Sequence, residues 1–389
     1  MLTQNKKYFC YEIYKNLAIW STNGKLSYNP CSYFVGSIKT SDNFNLTEIW
    51  NSPEHHKLKS MIEQDIAIPG CSRCYTEEKC GLVSRRLGAK DLWENYFKDT
   101  SIDLEGPQSI DYSVGNLCNL KCIICGPGNS TAWVEDYQKI FPANNIEIFK
   151  HDKFNQLEID DYTLLKNVKN IHFHGGGDPL LSTNHINLLK KIKEIRGLTD
   201  VHVFYNINGT KRASQELLDI WSECKLVELY FSIDDIGKRF NYQRTGANWN
   251  EVVKNLEWFK ENMPNNHMFK INCVWGYLNI FYLDELFDWY TDNFSTNRLG
   301  DPNQIIFQKV IDGEFKLSID TVSEKIKTVL LEKFKNYPKL LEIIDTLKVD
   351  DNETHEKFWT SIQKIDSIRS TKFQDVCPEV ADLYSRYLR

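Results

Sequence analysis

The sequence predicts an α/β protein whose parallel strands form an open, partial barrel. From about residue 107 onward, apolar strand patterns alternate with amphipathic helix patterns, and this alternation is typical of a parallel sheet. The polar, glycine-rich and cysteine-bearing segments all follow strands directly, and barrels gather their functional groups at that end of the strands. Six strand–helix units are too few for a closed eight-stranded barrel, so we expect an open (β/α)6 barrel of the TIM type.

The individual strands and helices are predicted from the spacing of apolar residues, from helix-capping residues and from glycines and prolines that end helices. Strands are expected at Ser109–Val114, Asn170–Phe173, Asp200–Tyr205, Leu226–Ile233, Phe269–Val274 and Gln304–Val310. Helices are expected at Thr183–Arg196, Asn250–Asn262 and Leu283–Asn293. The first of them is predicted to begin after Ser182, to end at Gly197 and to bury one face made of Ile186, Leu189, Ile192 and Ile195. Segment 145–168 is polar, and we expect an inserted helix there.

Two flanking segments complete three predicted domains, at residues 1–105, 106–315 and 316–389. The first hundred residues resemble loops with one helix, Pro53–Gln64, and their periodic core is thin. Metal ligation is therefore expected to help hold this small N-terminal cysteine-rich module together. Beyond residue 315 the pattern becomes helical and lysine-rich, with no strand signals, which predicts a C-terminal helical extension over Val322–Tyr337 and Lys339–Leu347.

Composition and charge exclude several classes of protein. The chain has 389 residues, is 41% hydrophobic and 26% charged, and carries a net charge of −6, which disfavours nucleic acid as a partner. No apolar stretch approaches the roughly 20 residues of a membrane helix, and the first residues lack the apolar core of a secretory signal. We therefore expect a cytoplasmic protein, in which clustered cysteines indicate metal binding or catalysis.

Three of these cysteines lie close together in the loop after the first strand. Cys118, Cys122 and Cys125 have the spacing C-x3-C-x2-C within CNLKCIICGPGNSTAW. Thiolates at such spacing bind iron–sulfur clusters or zinc, and a four-iron cluster normally takes four cysteines. Three ligands would leave one iron open to bind and activate another molecule.

This pattern resembles the signature of the radical S-adenosylmethionine (SAM) superfamily, which lies after the first strand of a partial barrel. The resemblance implies a [4Fe–4S] cluster on Cys118, Cys122 and Cys125, whose open iron site chelates SAM. One departure is Ile124, which stands where the superfamily commonly has an aromatic residue. A zinc loop is the alternative.

Further loops resemble the SAM-binding elements of the same superfamily. The run Gly175-Gly176-Gly177-Asp178-Pro179 resembles G-G-E-P, with Asp in place of Glu. The fourth strand leads to an S-x-D…R pattern, and the third to NING, which resembles T-N-G. The SAM-binding residues that the resemblance implies are Gly176, Gly177, Asp178, Asn208, Ser232, Asp234 and Arg244.

The N-terminal segment resembles the twitch and SPASM auxiliary-cluster domains, and it comes closest to proteins that carry this module ahead of the barrel. By that match Cys10, Cys31, Cys71 and Cys74 would hold a second [4Fe–4S] cluster. Cys80 fits the C-x2-C-x5-C spacing of fuller SPASM domains and could replace Cys10 or Cys31. A structural zinc site is the alternative.

The superfamily resemblance implies an enzyme that reductively cleaves SAM to a 5′-deoxyadenosyl radical and removes hydrogen from a substrate. Its expected partners are SAM, an electron donor such as flavodoxin or ferredoxin, and a peptide or small-molecule substrate, with a nucleotide or sugar also open. Two other functions stay open, a binding protein that has lost catalysis and a zinc protein. His172 and His174 share one strand face, where they could form a proton relay or a ligand pair, but we expect hydrogen-bonded interior residues.

Overall fold

A computed structural model describes residues 3–22, 25–36, 38–41, 45–79, 83–113, 115–149, 163–294, 305–313, 315–351 and 355–385. Its strands are β1 (Asn16–Thr22), β2 (Lys25–Asn29), β3 (Lys39–Ser41), β4 (Ser109–Ser113), β5 (Lys121–Cys122), β6 (Asn170–Phe173), β7 (His202–Ile207), β8 (Leu226–Ser232), β9 (Arg244–Thr245), β10 (His267–Trp275), β11 (Ile305–Lys309), β12 (Thr321–Val322) and β13 (Lys348–Val349). Most of them form one nine-stranded, mostly parallel sheet with the order β11-β10-β8-β7-β6-β4-β1-β2-β3.

Helices surround this sheet and follow its strands along the chain. They are α1 (Tyr11–Lys15), α2 (Leu46–Trp50), α3 (Pro53–Glu63), α4 (Ser72–Lys79), α5 (Arg85–Asp91), α6 (Val134–Ile140), α7 (Asn184–Arg196), α8 (Gln215–Ser222), α9 (Gly237–Gln243), α10 (Trp249–Asn262), α11 (Leu283–Phe294), α12 (Glu324–Lys333), α13 (Pro338–Asp345), α14 (Glu356–Arg369), α15 (Phe373–Val376) and α16 (Pro378–Ser385). None of the described helices combines the length and the apolar composition that a membrane span requires.

The six strands that the sequence predicts for the barrel, β4, β6, β7, β8, β10 and β11, are parallel neighbours in chain order. Alternate residues on them are apolar and buried under helices, as Ile171, Val203 and Leu229 illustrate. The intervening residues carry polar side chains, among them Asp111 and His172. Because side chains alternate between the two faces of a strand, one face of the sheet forms the core and the other forms a polar interior.

The N-terminal segment contributes strands that the sequence analysis missed. β1 pairs in parallel with β4, and β2 and β3 continue the same sheet in antiparallel fashion. The expectation of loops with one helix was therefore wrong for this region. β1 is buried at Leu17, Ala18 and Ile19, and such an apolar run without alternation is typical of a strand covered on both faces. The α3 helix matches its prediction to within one residue.

Two smaller expectations also need correction. In α7 the buried face consists of His185, Leu188, Leu189 and Ile192, whereas Ile195 is exposed. The four residues predicted for this face recur every three positions, and a strict spacing of three drifts around a helix of 3.6 residues per turn. In the C-terminal part, β12 and β13 form a short parallel pair where no strand was expected. Most of the polar crossover, residues 150–162, lies outside the described residues.

Candidate active site at the carboxyl ends of the strands

The three-cysteine loop follows β4 and is fixed by a short antiparallel pairing. Within it β5 pairs with β9, which sets Cys122 opposite Arg244 and Lys121 opposite Thr245. The Trp133 indole Nε1 donates a hydrogen bond of 2.7 Å to the Cys122 carbonyl oxygen from the far side of the loop. Backbone pairing on one side and a buried indole on the other therefore hold Cys122 in one position.

The three thiols share a small set of neighbours. Cys122 and Cys125 hydrogen-bond each other, and this contact raises the pKa of Cys122 and lowers that of Cys125. Cys118 Sγ accepts from the Leu120 amide at 3.5 Å and from Asn208 Nδ2 at 3.7 Å. The structure thus brings the predicted triad together, with Asn208 at its edge.

Arg244 links the triad to the end of the fourth barrel strand. Its Nη1 donates to Cys122 Sγ at 3.7 Å, and its Nη2 lies 2.7 Å from Asp234 Oδ2. Asp234 Oδ1 accepts from the Val274 amide at 2.8 Å, so a neighbouring strand fixes the carboxylate. Burial alone would lower the pKa of Arg244, but the Asp234 carboxylate raises it above its ordinary value. The guanidinium is therefore a permanent cation beside the cysteine sulfurs.

One nitrogen of this guanidinium lacks a partner. Arg244 Nε is buried and has no hydrogen-bond partner among the described residues, although the side chain is only 6% exposed. An unsatisfied buried donor is costly, and a carboxylate is the group that an arginine fork binds best. The residues present therefore fit a ligand that carries a carboxylate next to the cysteine triad, as SAM does.

The glycine run after β6 packs directly against the backbone that precedes the cysteines. Gly176 has φ +58°, and a Cβ added there would lie 2.4 Å from the Gly115 carbonyl oxygen. The Asp178 amide also donates to the Leu117 carbonyl oxygen at 2.9 Å. Only glycine combines this backbone conformation with so close an approach, so the run holds the cysteine loop at the end of β6.

Replacing Gly176 by Ala tests this packing. The new Cβ meets backbone at a distance that real side chains do not adopt and forces a non-glycine residue to positive φ. We expect a loss of about 2–3 kcal/mol in the free energy of unfolding, measured by denaturant titration. Gly88→Ala is the matched control, because a Cβ at that helical glycine meets nothing within 4 Å. Equal stability of the two variants would contradict the packing.

Asp178 connects two strand ends through its side chain. Its Oδ2 accepts from the Asn208 amide at 2.7 Å and its Oδ1 from the Leu180 amide at 2.9 Å. Burial raises the pKa of Asp178 to about 6, against the effect of these two donors. Both oxygens are occupied by backbone, so the observed contacts of this side chain join the loops after β6 and β7. Ser232, the remaining predicted residue, is half-buried at the end of β8.

The N-terminal cysteines form a second convergent group. Cys10, Cys31, Cys71 and Cys74 line one small cavity, together with Arg85 and Arg86. Burial raises the pKa of all four thiols, to about 12 for Cys71, so each is protonated near neutral pH and a bound metal would have to replace that proton. Cys80, the fifth predicted ligand, lies outside the described residues.

Spacing among ligand atoms bears on which metal fits the cysteine groups. In the described part of the chain, one group of at least three His, Cys, Asp or Glu residues has all its potential metal-binding atoms within 4.8 Å of one another. This group consists of Asp111, His172 and His174. A tetrahedral zinc site holds its sulfurs about 3.8 Å apart. Among the described residues, no three cysteine sulfurs lie within 4.8 Å of one another.

A buried ionic network that the sequence analysis missed lies between the two cysteine groups. Arg85 Nη2 lies 3.0 Å from both carboxylate oxygens of Asp111, and its Nε lies 3.2 Å from Glu12 Oε1. Asp111 also accepts from His172 Nδ1 at 3.2 Å. Burial raises the pKa of Glu12 to about 7, whereas Arg85 holds the pKa of Asp111 well below its usual value despite burial. The signal in the sequence was an aspartate in the middle of an apolar strand, SIDYS.

The C-terminal helix α14 reaches the cysteine loop through one residue. Arg369 Nε donates to Asp136 Oδ2 at 3.0 Å, and its guanidinium lies 4.5 Å from the centre of the Trp133 ring. Asp136 in turn accepts from Lys121 Nζ at 2.9 Å. The C-terminal segment therefore braces both the tryptophan behind Cys122 and the strand that contains it.

Comparison with known proteins agrees with this geometry. Residues 112–289 match the family model of the radical SAM superfamily. The matched radical SAM region begins within β4 and ends within α11, so it contains the cysteine triad, the glycine run and Arg244. Members of this superfamily use a [4Fe–4S] cluster and SAM, and the cysteines that such a cluster needs are present.

Three similar proteins contain related regions. GTP 3′,8-cyclase of Limosilactobacillus fermentum (strain NBRC 3956 / LMG 18251) is 28% identical over 145 residues, which are 37% of this chain and 39% of that enzyme. Native anSMEcpe with bound AdoMet aligns with a TM-score of 0.39 and 16% identity over 62% of each chain. Streptococcus suis SuiB aligns with a TM-score of 0.38 and 14% identity over 84% of this chain and 69% of its own. The chain thus spans only 39% of the length of the cyclase.

Proposed function

We propose that this protein is a radical SAM enzyme that cleaves SAM reductively and removes a hydrogen atom from an unidentified substrate. A cluster bound by Cys118, Cys122 and Cys125 would supply an electron to SAM, which breaks into methionine and a 5′-deoxyadenosyl radical. The observation that carries the proposal is the buried Arg244 between Asp234 and Cys122, with one nitrogen unpartnered. It supplies a carboxylate-binding cation at the edge of a three-thiol group.

The surrounding residues then have separate tasks. Arg244 binds the SAM carboxylate through Nε, while Asp234 keeps the guanidinium oriented and, with Ser232, offers oxygen atoms to the ribose hydroxyls. The backbone of Gly176 and Gly177 receives the ammonium group where no side chain can intrude. Asp178 joins the loops after β6 and β7 by accepting from the Asn208 amide, and this contact places the Asn208 side chain beside Cys118. A donor such as flavodoxin or ferredoxin would reduce the cluster.

Anaerobic turnover tests this function. The protein is loaded with iron and sulfide, reduced with dithionite and incubated with SAM, and 5′-deoxyadenosine is measured. We expect product from the wild-type protein and none from Cys122→Ala. Cys224→Ala is the matched control, because this buried thiol lies just after α8 and donates to the Ile220 carbonyl oxygen of that helix at 3.6 Å. Equal yields from wild type and Cys122→Ala would refute the function.

We further propose that Cys10, Cys31, Cys71 and Cys74 bind an auxiliary [4Fe–4S] cluster, as in twitch- and SPASM-like proteins. Four thiols that line one small cavity, three of them buried, support a closed site.

Metal analysis distinguishes the two metals. We expect about eight irons per wild-type chain, about four in Cys71→Ala and little zinc in either. About four irons and one zinc in the wild-type chain would contradict the auxiliary cluster and leave the catalytic one intact.

A further inference from the structure

A large cavity lies next to the candidate SAM site and has no assigned ligand. It has a volume of about 460 Å³ and is lined by residues from β6, β7, β8, β10 and β11 and from the N-terminal segment. Strand register brings its walls together, since His172 stands beside Phe204, Asn206 beside Tyr230, and Asn272 beside Ile306. The cavity is therefore formed by the polar face of the sheet, close to the glycine run that follows His174.

The charges at the cavity wall already neutralise one another. Arg85 is the one arginine or lysine among its described lining residues, and both Glu12 and Asp111 bind it at 3.0–3.3 Å. A phosphate group needs a cation or several free donors, and a guanidinium that already binds two carboxylates attracts a third anion only weakly. We therefore expect the cavity wall to disfavour a phosphorylated ligand.

One polar atom at the wall lacks a partner. Asn272 Oδ1 is buried and has no hydrogen-bond partner among the described residues. His174 Nε2, by contrast, lies 3.7 Å from Asp111 Oδ1. Buried polar atoms normally find partners, so Asn272 Oδ1 indicates a hydrogen bond that a ligand N–H or O–H group would complete.

His172 adds a neutral group to the wall, and two rings add apolar faces. Asp111 accepts from His172 Nδ1, which assigns the proton to that nitrogen, and Nε2 accepts from Asn170 Nδ2 at 3.5 Å. Burial lowers the pKa of His172 to about 4, so the ring is uncharged near neutral pH. Phe204 packs edge-to-face on this imidazole at 4.3 Å, and Tyr230 lies 6.0 Å further along.

We propose that this cavity binds an uncharged hydroxyl- or amide-bearing part of the substrate, through Asn272, and excludes phosphate groups. The inference rests on the proposed radical SAM function, which it deepens by naming the chemical class of the substrate. We therefore expect this chain to differ from enzymes whose substrate is a nucleoside triphosphate, because the charged groups of the cavity wall are already paired.

Matched pairs of ligands test the inference on the cluster-loaded, SAM-bound protein. Saturation-transfer NMR compares N-acetylserinamide, glucose and guanosine with O-phospho-N-acetylserinamide, glucose 6-phosphate and GTP. We expect the neutral member of at least one pair to bind at least tenfold more tightly than its phosphorylated partner, and which pair responds distinguishes an amide from a sugar or nucleoside source. Equal or tighter binding of the phosphorylated members, or binding of neither member of any pair, would overturn the inference.

Two variants locate the binding. Asn272→Leu keeps the side-chain size and removes the unpartnered acceptor, so we expect at least a tenfold loss of affinity for the neutral ligand. Asn187→Leu is the control, because Asn187 is exposed on α7 and does not line the cavity. Unchanged binding to a folded Asn272→Leu protein would also overturn the inference. Formation of 5′-deoxyadenosine without added ligand is measured in the same samples, and its absence would instead count against the proposed function.

Discussion

Replacing Arg244 by Gln is expected to destabilise the protein and to abolish tight SAM binding together. The substitution leaves Asp234 buried, 2% exposed, without its counter-ion. Removing one partner of a buried ion pair typically costs about 3–5 kcal/mol, measured here by denaturant titration under anaerobic conditions. Loss of the carboxylate contact should weaken SAM binding by about 100-fold, measured by calorimetry on cluster-loaded protein.

A double variant separates these two effects. Asp234→Asn combined with Arg244→Gln removes both charges, so stability should return to within about 1 kcal/mol of wild type, whereas SAM binding should not return. Arg239→Gln is the matched control, since Arg239 pairs with Asp235 at 2.9 Å and with Glu285, and neither ion pair involves Cys118, Cys122 or Cys125. SAM binding that survives in Arg244→Gln would show that another group receives the carboxylate.

Replacing Arg85 by Gln has the second large expected effect. It leaves Glu12 and Asp111, both almost fully buried, as two uncompensated carboxyl groups near each other. We expect a loss of about 3–5 kcal/mol at pH 8 in the free energy of unfolding. Arg73→Gln is the control, because Arg73 forms a partly exposed pair with Glu77 within one helix and such pairs contribute at most about 0.5 kcal/mol.

The deficit of Arg85→Gln should depend on pH in a definite direction. Without the guanidinium, the pKa of Asp111 rises above its unfolded value, and the pKa of Glu12, already about 7, rises further. A raised folded-state pKa stabilises the protein at low pH and loses that contribution as the pH rises through it. The free energy of unfolding of the variant should therefore approach that of the wild type near pH 5 and fall below it as the pH rises toward 8. A deficit that is constant over this range would contradict the carboxylate explanation.

The sequence was most informative where local periodicity and function coincide. The barrel strands were predicted within one or two residues because apolar residues recur along them and polar or glycine-rich loops end them, as in β6 and β8. The cysteine triad and Arg244 were identified because they belong to motifs that can be recognised in the sequence, C-x3-C-x2-C and S-x-D…R. Their contact was not predictable, since it depends on the pairing of β5 with β9 across more than a hundred residues.

The parts that were missed depend on long-range partners. β1 to β3 join the sheet because β4 offers an open edge, and no pattern within residues 1–105 specifies that edge. No motif or periodicity in the sequence singles out Arg85, which the fold places against Asp111 on β4. Arg369 likewise meets Asp136 only through the packing of α14 on α6. In each case a charged residue acquires its role from a neighbour that is distant in sequence.

We propose that Cys118, Cys122 and Cys125 bind an iron–sulfur cluster with one site open to SAM. Electron paramagnetic resonance tests this cluster most directly. Spectra of dithionite-reduced protein are recorded with and without SAM, in wild type and in Cys122→Ala. We predict a [4Fe–4S] signal in the wild type whose shape changes when SAM is added, and no SAM-dependent change in the variant. A wild-type spectrum that SAM leaves unaltered would contradict the account.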